Sequence, residues 1–217
     1  MKFTKKALLA SVLTMFAANA NALLIAEISD TADFSGTVVQ AIDTDGDGFL
    51  SINSGLGTWV ANVVTGLSSP LLGGNGIDEM DLNSVNVSGG TGTIYIRLSD
   101  TGFSKLDASY TTSFGGTTNG SVSFQSYVDS SNTHFGTGTL LSDSGDVSTA
   151  AYSGISYGDI SMNNLYSMTI YAAISHTEGF QVSSFDYNIK VPEPATAALL
   201  ALGLGFLGFG AARRKKT

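Results

Sequence analysis

The chain has 217 residues, of which 13% are charged, 26 are glycine and none is cysteine, and its formal net charge is −8. The lack of cysteine excludes disulfides, zinc–thiolate sites and a thiol nucleophile. The acidic balance argues against a nucleic-acid partner, because a negative surface repels phosphates.

The first 22 residues have the pattern of a secretory signal peptide. Three lysines lie within the first six residues, and a nearly uncharged apolar run follows over residues 7–18. Residues 20–22 read Ala-Asn-Ala, which is a cleavage site of the A-x-A type. We therefore predict that signal peptidase removes residues 1–22, that Leu23 begins the mature chain, and that this chain is exported.

Residues 23–190 are predicted to form one extracellular domain, because they are enough for a single sizeable core. This body contains three basic and 17 acidic residues, which gives it a net charge of −14. Such a surface keeps the body soluble outside a cell and can collect divalent cations where carboxylates cluster.

Apolar residues in the body recur mostly at every second position, which is the period of a β-strand. In residues 93–98 (TIYIRL), Ile94, Ile96 and Leu98 fall on one face, and residues 165–175 alternate in the same way. Glycine-rich turns separate the apolar runs, and no run shows a sustained helical stripe. The pattern predicts an all-β fold, an antiparallel β-sandwich of the jelly-roll or immunoglobulin-like kind.

The segment DTDGDGFLSINS has the start of a calcium-binding loop. Asp43, Asp45 and Asp47 occupy its first, third and fifth positions, and Gly48 stands at the sixth, where a sharp turn is needed. The twelfth position is Ser54 instead of a bidentate acid, so the segment is not a complete EF-hand. Two interpretations stay open: a differently completed calcium site, and the commoner Asp-Gly hairpin turn.

A second acidic group, Asp78, Glu79 and Asp81, could supply the paired carboxylates of a glycoside hydrolase. Adjacent residues of a strand point to opposite faces, however, so this signal is weak. The two histidines, His134 and His176, lie far apart in the sequence and lack a nucleophilic or acidic motif around them. No catalytic residue is assigned, and the chain is predicted not to be an enzyme.

Several aromatic residues could stack on sugar rings, since an aromatic face offers apolar contact and its edge can hydrogen-bond. The candidates are Trp59, Tyr95, Tyr110, Tyr127 and Tyr171. Valines surround Trp59 in the sequence, so we expect this residue to pack in the core instead.

The last 27 residues have three consecutive parts: the motif VPEP at 191–194, an uncharged stretch at 195–212, and a basic tail at 213–217. The stretch at 195–212 has 18 residues, enough for a transmembrane helix of about 27 Å. The residues that stop transfer and stay on the cytoplasmic side are Arg213, Arg214, Lys215 and Lys216. The prolines at 192 and 194 disfavour helix and predict an extended, protease-accessible segment outside the membrane.

This order of motif, apolar helix and basic cluster resembles the PEP-CTERM sorting signal of Gram-negative bacteria. The resemblance covers the last 27 residues. It implies that exosortase, a membrane-embedded cysteine protease, recognises Pro192, Glu193 and Pro194 and cuts nearby. The precursor would then be anchored in the inner membrane, and the processed body would join the cell surface or the extracellular exopolysaccharide of a biofilm.

The leading functional hypothesis is therefore a non-enzymatic surface or matrix protein that exosortase processes. A calcium-supported carbohydrate-binding module is the first alternative, with exopolysaccharide as a partner and calcium as the only candidate cofactor. A polysaccharide-active enzyme is the second alternative, and it would depend on Asp78 or Glu79.

Overall fold

The computed structural model describes residues 23–73, 77–105 and 107–192, with Val63 described by its backbone alone. The predicted signal peptide, the helix at 195–212 and the basic tail lie outside these residues. Within the described part, no helix has the length and apolar character that crossing a membrane requires.

The described residues form twelve strands. In chain order these are β1 (Ile25–Ser29), β2 (Val38–Ile42), β3 (Phe49–Leu56), β4 (Trp59–Leu67), β5 (Ile77–Gly89), β6 (Gly92–Phe103), β7 (Asp107–Thr118), β8 (Ser121–Asp129), β9 (Thr139–Asp143), β10 (Ala151–Ser161), β11 (Tyr166–His176) and β12 (Val182–Pro192).

The strands form two six-stranded antiparallel sheets that pack face to face. Sheet A has the order β2-β1-β6-β11-β8-β9, and sheet B has the order β10-β7-β12-β5-β4-β3. The consecutive strands β5 to β8 alternate between the sheets, so that neighbours in sequence lie on opposite sides of the core. The predicted all-β, antiparallel sandwich is confirmed.

Strand alternation builds the core, because every second side chain of each inner strand points between the sheets. Ile94, Ile96 and Leu98 of β6 are fully buried, as their spacing predicts. Phe124 of β8 meets Phe185 of β12 edge to face, with ring centroids 4.8 Å apart. Apolar contacts across the sandwich therefore fix the two sheets against each other.

The prediction that Trp59 packs in the core is confirmed, since only 6% of it is exposed. Its indole lies against the ring of His176 with centroids 4.7 Å apart. Gly90 has a φ of 64°, and a Cβ at this position would collide with the indole. Glycine is therefore required beside Trp59 for both its backbone conformation and its lack of a side chain.

Candidate functional site

One row of side chains crosses sheet A from edge to edge on the face that points away from the core. We call it the polar row; its members are Gln40, Glu27, Arg97, Tyr171, Gln125 and Asp143, each a cross-strand partner of the next. Arg97 Nε donates to Glu27 Oε2 at 2.7 Å, and Gln40 Nε2 donates to Glu27 Oε1 at 2.6 Å. Gln125 Nε2 donates to Asp143 Oδ2 at 2.9 Å. The strand register thus brings one polar side chain from each of six strands into a row, with hydrogen bonds joining Gln40, Glu27 and Arg97 at one end and Gln125 and Asp143 at the other.

Arg97 is held between two phenylalanine rings that come from different loops. Its guanidinium carbon lies 3.8 Å from the ring centroid of Phe34 and 3.8 Å from that of Phe135. Phe34 has a φ of 55° and Phe135 a φ of 59°, a left-handed conformation that bulky residues rarely adopt. Packing on Arg97 compensates for this local strain. Arg97 therefore pins the loops at residues 30–37 and 130–138 onto sheet A.

Three members of the polar row, Tyr171, Gln125 and Asp143, line a groove of about 350 Å³, within the size range of small-molecule sites. The groove forms because the small side chains of Ala173 and Ser123, which are cross-strand partners, leave space next to the larger Tyr95. The lining residues are Ala32, Tyr95, Ser123, Gln125, Tyr127, Thr137, Asp143, Tyr171, Ala172 and Ala173. The two pinned loops contribute Ala32 and Thr137, so Arg97 also shapes this tyrosine groove.

The groove combines aromatic surface with hydrogen-bonding groups. Tyr127 and Tyr171 meet edge to face with centroids 6.0 Å apart, and the Tyr127 hydroxyl donates to Gln125 Oε1 at 2.9 Å. Burial, and then the negative charge of Asp143, raise the pKa of Tyr127, so its phenol stays protonated. The amide of Gln125 and the N–H of Gly145 lower the pKa of Asp143, so this carboxylate stays ionised. Such a surface suits a ring that carries many hydroxyls.

The tyrosines that the sequence suggested for sugar stacking do not all meet. Tyr95, Tyr127 and Tyr171 line the groove. Tyr110 lies outside it, donates its hydroxyl hydrogen to the carbonyl of Leu141 at 2.7 Å and packs against the core.

Asp43, Asp45 and Asp47 do come together, with one carboxylate oxygen of each within 4.8 Å of the others. Asp43 accepts the N–H groups of Gly46 and Gly48 at 2.9 and 2.8 Å, which is the geometry of a tight turn. The pKa of Asp45 is raised by its hydrogen bond with Asp43 and by the charge of Asp47. The loop thus closes as a turn and also concentrates negative charge. None of the three residues lines the tyrosine groove.

The second acidic group is divided between the two sides of its sheet. Asp78 Oδ2 accepts the N–H groups of Ser104 and Lys105 at 2.8 and 2.9 Å, which anchors the β6–β7 connection. Glu79 pairs instead with Lys190 at 3.0 Å. Burial raises the pKa of Asp81. Asp78 therefore does not pair with Glu79, whereas Glu79 and Asp81 lie on the same side of the sheet and line one pocket together with Asp186.

Both histidines have structural contacts. His176 is buried, with Nδ1 2.8 Å from the carbonyl oxygen of Gly89 and Nε2 3.0 Å from Ser183 Oγ. His134 Nε2 lies 2.6 Å from the carbonyl oxygen of Leu23. Neither histidine lines the tyrosine groove.

Sequence reasoning missed the polar row and the two phenylalanines that hold Arg97. One signal was available: Arg97 is one of three basic residues in the body and stands in the middle of an apolar alternation. A charge there requires a partner on the same sheet face. The sequence did not show which strand would supply that partner.

The last strand runs directly into the sorting motif. Val191 and Pro192, which the sequence analysis assigns to the motif, are the final residues of β12. Val191 is fully buried and pairs with Asp78, whereas Pro192 is exposed. The sandwich and the motif are therefore joined without an intervening linker.

A family model described as the PEP-CTERM protein-sorting motif matches residues 190–215. This match confirms the resemblance seen in the sequence. The chain therefore carries a PEP-CTERM sorting domain at its C-terminal end. Among curated proteins, no significant relative is found.

Several solved structures match this chain with low sequence identity and low TM-scores. The C-terminal family 6 carbohydrate-binding module of the laminarinase LamC from Zobellia galactanivorans is 14% identical, with a TM-score of 0.28 over 64% of this chain and 98% of its own. The K1 cleaved adhesin domain of Lys-gingipain from Porphyromonas gingivalis is 12% identical, with a TM-score of 0.34 over 68% and 91%. A family 35 carbohydrate-binding module from Clostridium thermocellum is 9% identical, with a TM-score of 0.25 over 65% and 87%. These scores are too low to transfer a function.

Proposed function

We propose that this chain is an exported, non-enzymatic protein of the cell surface or exopolysaccharide matrix, sorted by exosortase through residues 191–217. The observation that carries the proposal is the sorting motif matched at residues 190–215. Signal peptidase acts first, and the precursor is then held in the inner membrane by the helix at 195–212. Exosortase recognises Pro192, Glu193 and Pro194 and separates the body from this anchor.

The mature C-terminus tests the sorting step. Mass spectrometry of protein from a host with exosortase should find a new C-terminus near residues 192–194, because cutting there removes the anchor. Without exosortase, Thr217 should be retained in the membrane fraction. An intact Thr217 under both conditions would make the tail an ordinary anchor. The double variant Pro192→Ala/Pro194→Ala should also keep Thr217, since the motif is lost while the apolar stretch is unchanged.

The tyrosine groove favours a second candidate function, which is calcium-supported carbohydrate binding. Tyr95, Tyr127 and Tyr171 offer aromatic surface, and Gln125 and Asp143 offer hydrogen bonds. The ligand class is a neutral polysaccharide, because the body carries a net charge of −14 and Asp143 is ionised within the groove. Asp143 is the one carboxylate among the described lining residues, whereas glycoside hydrolases generally use two.

We propose that calcium stabilises the fold and does not contact the bound polysaccharide. The ion would be held by Asp43, Asp45 and Asp47, which lie outside the groove. Asp43 also donates its N–H to the carbonyl of Leu24 at 2.9 Å, so this loop fastens the start of the mature chain. Binding there would relieve the repulsion among the three carboxylates.

The change Tyr127→Ala should weaken binding to a neutral glucan such as laminarin at least 10-fold. It removes one aromatic wall of the groove, and this loss of affinity corresponds to about 1.4 kcal/mol. Isothermal titration calorimetry on the purified chain measures it, with the anionic polymer alginate as a negative ligand.

Phe180→Ala is the matched control, since Phe180 is an aromatic residue that is 75% exposed in the β11–β12 connection and does not line the groove. It should leave glucan affinity unchanged, and equal losses in the two variants would contradict the assignment of the groove.

Calcium should raise the melting temperature without changing glucan affinity, and Asp45→Asn should remove the calcium effect.

A further inference from the structure

Strand β10 is the least protected of the four sheet edges. The edge strands β2 and β9 have 5 residues each, and β3 has 8 residues with an irregular register near Ile52. Strand β10 has 11 residues and pairs with β7 in an uninterrupted register. Natural sheets protect their edges with short strands, bulges, prolines or lysines, and β10 has none of these.

Two large apolar side chains stand exposed on this edge. Ile155 is 57% exposed and Tyr157 is 69% exposed. Their cross-strand partners on β7 are Ser113 and Thr111, so neither has an apolar partner in the paired strand. The single charge of the strand is Asp159. The unpaired backbone groups of β10 together with these side chains offer a template for another strand.

The sequence of β10 complements itself when a second copy runs antiparallel to it. With Ser156 opposite the Ser156 of the second copy, all 11 residues pair. Ile155 then faces Tyr157 of the other copy on the outer side, twice by symmetry. On the inner side, Tyr152 faces Ile160. Asp159 faces Ser153, so the two like charges do not meet.

We propose that two copies of this chain associate through antiparallel pairing of their β10 strands, centred on Ser156. The pairing joins two six-stranded sheets into one continuous sheet and covers Ile155 and Tyr157 of both copies. Registers shifted by two residues leave end residues unpaired and place Asp159 opposite Ile155 or separate Ile155 from Tyr157. The net charge of −14 on each body opposes association, so added salt strengthens the pairing.

The absence of cysteine allows a register-specific test, because any disulfide must come from an introduced residue. In the proposed register the two Ser156 Cα atoms lie roughly 4.5–5.5 Å apart, a separation that a disulfide can bridge. The two Ser153 residues lie roughly 20 Å apart. Ser156→Cys is the reporter, and Ser153→Cys is the matched control on the same strand.

The experiment uses the full chain extracted in mild detergent from a host without exosortase and oxidised under dilute conditions. Ser156→Cys should give at least 10-fold more disulfide-linked dimer than Ser153→Cys. Adding Ile155→Lys to Ser156→Cys should abolish the dimer, and circular dichroism should show an unchanged fold because Ile155 is exposed. Equal cross-linking at positions 153 and 156, or none at 156, overturns the proposal. Contacts between membrane tails would not distinguish the two positions.

Discussion

The change Arg97→Met is expected to lower the free energy of unfolding by about 3 kcal/mol. Arg97 and Glu27 form an ion pair at 2.5 Å, with side chains only 18% and 10% exposed. Methionine keeps apolar bulk between the two phenylalanine rings but leaves the Glu27 carboxylate without its cation. Urea unfolding at pH 7, followed by tryptophan fluorescence, measures the loss.

Two controls distinguish the loss of stability in Arg97→Met from a general effect of removing a cation. The double variant Glu27→Gln/Arg97→Met should recover most of the lost stability, because no charge is then left uncompensated in the sheet. The change Lys190→Met breaks a second ion pair, with Glu79. The cation of this pair is 53% exposed, and Glu79, although only 14% exposed, keeps the hydrogen bond that Asn188 Nδ2 donates at 3.0 Å, so the loss should be smaller, about 1 kcal/mol. Similar losses in Arg97→Met and Lys190→Met would contradict the argument.

Arg97 also holds in place two loops that line the tyrosine groove, so a change that destabilises its contacts affects the groove. Phe34 and Phe135 adopt left-handed conformations that persist because the rings pack on the guanidinium. The loops that carry them supply Ala32 and Thr137 to the groove. A variant that weakens this contact should therefore loosen one end of the groove, even though Arg97 does not line it.

The fold class could be predicted because alternation is a local property of the sequence. Ile94, Ile96 and Leu98 lie on one face in any antiparallel arrangement, whichever strands flank them. The order of the strands in each sheet is not local. It depends on pairings such as Tyr171 with Gln125, and no residue pattern within either strand specifies the partner.

The candidate site could be predicted in part as well: the sequence shows which residues could take part, but not which of them meet in the fold. Tyr95, Tyr127 and Tyr171 were identifiable as aromatic residues of alternating strands, but their meeting depends on the register of β6, β11 and β8. Phe34 and Phe135 lie in loops, where an aromatic residue with a positive φ gives no recognisable turn signature. The cluster of Asp43, Asp45 and Asp47 could be found from the sequence because its three carboxylates are close together in the chain.

The change Asp100→Asn is expected to raise the free energy of unfolding at pH 7 by about 3 kcal/mol. Asp100 is fully buried, and this burial raises its pKa from 3.8 to about 6. Its oxygens accept the Ser68 hydroxyl at 2.5 Å and the Thr101 N–H at 2.7 Å, and both hydrogen bonds oppose that shift. An asparagine amide can retain contacts with Ser68 and Thr101 without carrying a charge.

The sign of the pH dependence follows from where the proton is held. Between about pH 4 and pH 6 the folded chain keeps the Asp100 proton that the unfolded chain has released, so stability falls as the pH rises through this window. Other carboxyls, such as Asp129, have lowered pKa values and change stability in the opposite direction. The informative quantity is therefore the difference between Asp100→Asn and the unaltered chain, which should grow from near zero at pH 4 to its full value above pH 6. A difference for Asp100→Asn that stays constant with pH would mean that Asp100 ionises in the fold without cost.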